Sequence, residues 1–132
     1  GTVNRILAKP LHRMQSAYGT EGTDIIACIG PGISLDSFEV GDEVYEAFRT
    51  ENFPMEYISV WKPETHKYHI DLWAANRLQL SDFGVPPRQI ENAGICTYRQ
   101  HEDFFSARRL GIKSGRILSG IMLNRQEKEE RK

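Results

Sequence analysis

Arginine, phenylalanine and serine gather in one stretch of this sequence, Cys96-Thr-Tyr-Arg-Gln-His-Glu-Asp-Phe-Phe-Ser-Ala-Arg-Arg109, followed by Lys113-Ser-Gly-Arg116. A guanidinium offers a planar fork of donors that fits phosphate or carboxylate, and a phenylalanine ring offers a stacking face. Composition alone supports a plainer reading: a surface loop anchored by Phe104 and Phe105, with its arginines solvated.

The remaining candidates carry less. His66 and His69 stand three apart in a segment that alternates like a strand, so they point to opposite faces and do not share an ion. His12 and His101 have no second ligand type beside them. Cys96 and His101 have the residue types of a nucleophile and its base, but such pairs are drawn from distant segments. Gly30-Pro31-Gly32 lacks the GxGxxG and P-loop spacings. It reads as a turn that lets backbone approach a neighbour closely.

These residues need elements to position them. Val3, Ile6, Leu7, Leu11, Met14 and Tyr18 recur at helical spacing, which predicts a helix over 3–18 that Pro10 kinks or splits and Gly19 stops. The apolar run 24–30 predicts a buried strand. A helix is expected from Gly41 to Arg49, and a surface loop over 50–66, where Pro54 and Pro63 fall and no period is sustained. Residues 67–70 alternate as a strand. Asp71 is an N-cap for a helix to Phe83, with Gly84 at its C-terminal stop and Pro86 and Pro87 beyond. A strand is expected over 88–95, a helical turn over 101–105 and a final strand over 115–123. Residues 124–132 read as a charged tail. Strands alternating with helices predict an α+β domain, layered α/β/α around a mixed sheet.

With 132 residues the chain fits one domain and buries a core without disulfides or a structural metal. Its net charge of -1, from 17 basic and 18 acidic residues, gives no electrostatic case for nucleic acid or an anionic membrane. No apolar run approaches the ~18 residues of a membrane helix. Residues 1–20 hold no uninterrupted apolar stretch of the signal-peptide kind. Cys28 and Cys96 lie in apolar runs and read as buried, reduced thiols, which suits the cytoplasm.

Several segments in order resemble the YfiH-like family, also called the laccase-domain or multicopper polyphenol oxidase-like family. Ile29-Gly-Pro-Gly-Ile-Ser34 with Phe38-Glu-Val40 is similar to its Ile-Gly-Pro-x-Ile and Tyr/Phe-Glu-Val segments. Tyr68-His-Ile-Asp-Leu-Trp-Ala-Ala-Asn-Arg77 is close to its aromatic-His-Leu-Asp-Leu-Trp-Ala-Ala-Asn-Arg. Cys96-Thr97, Phe104-Phe-Ser-Ala-Arg-Arg109 and Gly115-Arg116 resemble its Cys-Thr, Phe-Phe-Ser-Tyr-Arg-Arg and Thr-Gly-Arg. Ala107 stands where the family has an aromatic, Ser114 where it has threonine, and Ser34-Leu35 where many members have a Gly-Pro-Cys-Cys-like run.

The resemblance covers residues 1–123 and implies the C-terminal portion of a YfiH-like fold. It implies purine nucleoside phosphorolysis or adenosine deamination, with purine nucleoside and phosphate as partners and zinc as the metal. The family's metal ligands, two histidines and a cysteine, belong to its N-terminal half, and Gly1-Thr2-Val3 resembles the residues just after the last of them. The expectation is therefore a chain without its own metal site and inactive alone, able to self-associate through an exposed apolar face. The resemblance also makes Arg108 or Arg109 a substrate residue, with Phe105 and Ser106 beside it. A non-catalytic module that assembles with another chain is the alternative. A copper polyphenol oxidase is weaker, because four scattered histidines do not supply its ligands.

Overall fold

The computed structural model describes residues 1–124. Helix α1 (Ala8–Tyr18) is followed by strand β1 (Ala27–Ile29), strand β2 (Glu39–Val40), helices α2 (Asp42–Thr50) and α3 (Met55–Ile58), and strands β3 (Ser59–Lys62) and β4 (Lys67–Ile70). Helix α4 (Leu72–Phe83), strand β5 (Ile90–Asn92) and a single helical turn, α5 (Ala107–Leu110), complete the order. This is an α+β fold. The mixed pairing is divided between two small sheets, β1-β5 parallel and β2-β4-β3 antiparallel.

Helix α4 ties the two halves together. The Asp71 carboxylate accepts the Ala74 N–H at 2.9 Å and caps its start. Gly84, in the left-handed region at φ 102°, ends it as expected. Its Ala75 belongs to a core with Phe48, Phe53, Met55, Ile58 and Ile70, while its Leu80 packs with Leu11, Ile25, Val85 and Ile90. Ile58 and Ile70 are fully buried, each contributing about 2–3 kcal/mol of apolar transfer free energy. The 3-10 turn Gly22–Asp24 sits against the end of α4 so closely that a Cβ on Gly22 would lie 2.2 Å from the Gly84 carbonyl carbon.

Several expectations are corrected. The first helix begins at Ala8, because Thr2–Leu7 form turns and Arg5 adopts φ 55°. Pro10 neither kinks nor splits it: it lies in the first turn, where its missing N–H has no intrahelical acceptor to lose. The run 24–30 yields a strand of Ala27–Ile29 alone, and 88–95 one of Ile90–Asn92. The loop expected over 50–66 contains α3 and β3, whose four residues apiece are too short to show a period. The helical turn falls at 107–110, and 101–105 forms irregular turns.

Residues 115–123 form no strand, because among the described residues no other strand pairs with their backbone. Cys28 is exposed, not buried: it is the middle residue of β1 and points to the opposite face from the half-buried Ala27 and Ile29. Asn124 opens the charged tail, and the rest of the tail lies outside the described residues. No helix among the described residues is long and apolar enough to cross a membrane.

Candidate functional site

Two loops leave the carboxyl ends of the parallel strands β1 and β5, the position where open α/β sheets collect ligands. They extend the pairing for one more step. Gly32 N–H donates to the Ile95 carbonyl at 3.1 Å and Thr97 N–H to the Gly32 carbonyl at 3.0 Å. Gly32 passes close to Trp73: a Cβ would stand 3.3 Å from the indole nitrogen, so the ring would have to give by a few tenths of an ångström. Cys96 locks the first loop to the second. Its Sγ accepts the Ser34 N–H at 3.4 Å and lies 3.6 Å from Ser37 Oγ. Burial pushes this thiol up. Hydrogen bonds from the Ser34 hydroxyl and N–H, the Arg99 N–H and the Ser37 hydroxyl outweigh burial and hold it down at about 6. The partners of Cys96 are thus serines and backbone amides.

Beyond Thr97 the chain turns and enters α5. Ser106 is buried, and its hydroxyl accepts the Arg109 N–H at 3.3 Å as the cap of that helical turn. Arg108 Nη1 donates to the Glu39 carbonyl at 2.6 Å, and its guanidinium lies 5.0 Å from the centre of the Phe38 ring. Arg109 turns the other way, over the Tyr98 ring at 4.8 Å. Phe105 is half exposed and rests on Gly115, where any Cβ would come within 2.8 Å of the ring.

Phe105, Ser106 and Arg108 share the wall of an open cavity of about 380 Å³, lined also by the Pro31–Ile33 turn, Phe38 and residues 115–117. Three of the four sequence-predicted residues therefore meet, and Arg109 lies outside this wall. Phe38 and the Glu39 carbonyl were not among the candidates, and Arg116 stood in the arginine-rich stretch without a substrate role. Phe38 and Glu39 reach the site from β2 and its approach, and their contact with Arg108 joins distant segments, which the Phe38-Glu-Val40 motif does not reveal.

The histidines stay apart. His69 is buried, and its Nδ1 lies 2.9 Å from the Leu35 carbonyl, so that nitrogen carries the proton. His66 turns its ring edge to Trp61, and His12 sits against Phe83. No group of three His, Cys, Asp or Glu side chains among the described residues is arranged to hold a metal ion. The donors present thus do not fit the zinc that the family resemblance implies.

The architecture is that of a YfiH/YlmD-type α+β fold. The crystal structure of Bacillus licheniformis YfiH matches with a TM-score of 0.74 and 31% identity over 83% of this chain and 41% of that one. YlmD from Geobacillus stearothermophilus matches with a TM-score of 0.73 and 32% identity, over 83% of this chain and 40% of its own. The chain belongs to the family described as multi-copper polyphenol oxidoreductase laccase, whose model matches residues 1–124. A relative named purine nucleoside phosphorylase, from Bacteroides thetaiotaomicron, is 62% identical over 125 residues, covering 95% of this chain and 46% of that protein. Adenosine deaminase RL5, from an unknown prokaryotic organism, is 49% identical over 121 residues, covering 92% and 46%. The chain spans about half the length of the curated relatives it matches.

Proposed function

We propose that this chain carries the substrate-binding part of a purine nucleoside site, of the phosphorylase or adenosine deaminase kind that its relatives' names describe. The observation that supports this most is the cavity beside Phe105 and Arg108, where a stacking face stands next to a fixed cation. Phe105 lies against Gly115 and has about half its surface open, which offers a stacking surface to a flat base. Ser106 shapes the site as the cap of α5, which aims Arg108. Zinc belongs to the complete protein in this reading, with ligands from another part of it, and this chain alone does not turn over nucleoside.

The test is a titration of the 132-residue chain with inosine and with adenosine, followed by NMR. Binding is expected to shift the Phe105 ring signals, and Phe105→Ala to weaken it about tenfold. Phosphorolysis is expected to stay at the buffer rate with zinc added. Nucleoside binding that Phe105→Ala and Arg108→Ala both leave untouched would overturn the proposal.

A further inference from the structure

We propose that Arg108 and Arg116 together form a two-arginine clamp for a tetrahedral oxyanion, inorganic phosphate, at the Phe105 cavity, and that Arg109 takes no part. This rests on the nucleoside reading and adds the anion's partners to it.

Charge is the first argument. Among the described residues no carboxylate lies within ion-pair distance of Arg108, Arg109 or Arg116, whereas Arg99 pairs with Asp36 and Arg49 with Glu46. Glu39 is close to Arg108, but it offers its carbonyl. Its carboxylate faces Lys67 Nζ at 3.7 Å and His69 Nε2 at 3.8 Å. Among the described residues the cavity wall therefore holds two cations without a carboxylate in ion-pair distance.

Geometry is the second. Each guanidinium is oriented by one nitrogen and leaves donors free. Arg108 Nη1 is held by the Glu39 carbonyl at 2.6 Å. Arg116 Nη1 is held by the Ser114 and Gly115 carbonyls at 2.6 and 3.2 Å. A pre-oriented fork loses less freedom when it binds an oxyanion. The chain returns to the cavity through Gly111, at φ 90°, and through Gly115, which slides under Phe105. That path brings Arg116 to the same wall as Arg108. Arg109, the sequence neighbour of Arg108, projects instead over Tyr98.

The experiment titrates inorganic phosphate into this chain and follows the arginine side-chain N–H signals by NMR, with acetate as a second anion and inosine as a separate arm. Arg108→Ala and Arg116→Ala are each expected to weaken phosphate about tenfold or more, as the loss of charge-assisted hydrogen bonds requires. Arg109→Ala should change it less than about twofold. Arg116→Lys should restore part of the loss, since charge returns without the fork. Circular dichroism of each variant confirms that it folds. If phosphate binds no more tightly than acetate, or if Arg109→Ala weakens it and Arg116→Ala does not, the clamp is wrong while inosine binding still upholds the nucleoside site. If neither inosine nor phosphate binds, the nucleoside reading falls and the clamp with it.

Discussion

Replacing Cys96 by serine tests how the two loops of the cavity are held together. The thiol is buried, and the hydrogen bonds around it hold it down at about 6, against an ordinary value of 9.0. A group whose value is lower in the folded chain binds fewer protons there than in the unfolded chain. Its stabilising contribution is complete above the ordinary thiol value and is lost as pH falls through the folded one. Between those limits the difference approaches one proton, which is about 1.4 kcal/mol per pH unit. From about pH 6.5 to about pH 8.5 the native chain should therefore gain on the order of 2 kcal/mol from Cys96 alone.

Other groups titrate in the same interval, so the comparison of interest is with the variant. Urea unfolding under reducing conditions, at a series of pH values, gives the stability of each protein. The gap between the parent chain and Cys96→Ser should widen as pH rises, because serine keeps the hydrogen-bonding shape and removes the titration. A gap between parent and Cys96→Ser that stays flat across this interval would refute the argument that serine and backbone donors stabilise a thiolate here.

Gly22→Ala should destabilise the chain by about 3 kcal/mol, since its Cβ would meet backbone atoms of Gly84 and Val85 that cannot rotate away. Gly120→Ala, with nothing within 4 Å of its Cβ, should stay within about 0.5 kcal/mol, and thermal melts compare the two. Leu118, Met122 and Leu123 are almost fully exposed, so the chain should self-associate with rising concentration. Sedimentation velocity should show that Leu118→Glu with Met122→Glu reduces that association.

How far the fold was legible depends on how local its causes are. Helix α4 carries its own signals, a capping aspartate, an apolar face and a glycine stop, and residues 72–83 are where they place it. Strand β4 shows its alternation within four residues and is likewise where expected. Helix α3 and strand β3 are as short, but they join without a break, so neither period repeats. Residues 115–123 have the composition of a strand, yet a strand is a pairing and not a composition. Cys28 shows the same limit. Its apolar run suggests burial, but burial depends on what packs on the face of the sheet that the side chain meets, and Cys28 is exposed there.

The site divides along the same line. Arg108 and Arg109 are equivalent as residue types, and composition cannot rank them. Their adjacency within one helical turn decides the matter physically: neighbours one apart on a helix do not face the same side, so at most one could face a cavity beside Phe105. Ser106, three positions before the amide it caps, is a local signal too, and it explains the serine without any contact to ligand. Arg116 stands in the arginine-rich stretch and in the Gly115-Arg116 motif, but neither places it in space. It reaches the cavity because Gly111 reverses the chain and Gly115 allows it to pass beneath a phenylalanine, and both effects become visible only when Phe105 has a position in space. The glycines between the arginines therefore matter to the proposed clamp as much as the arginines do. A side chain at Gly115 would displace Phe105 and with it the wall that Arg108 and Arg116 share.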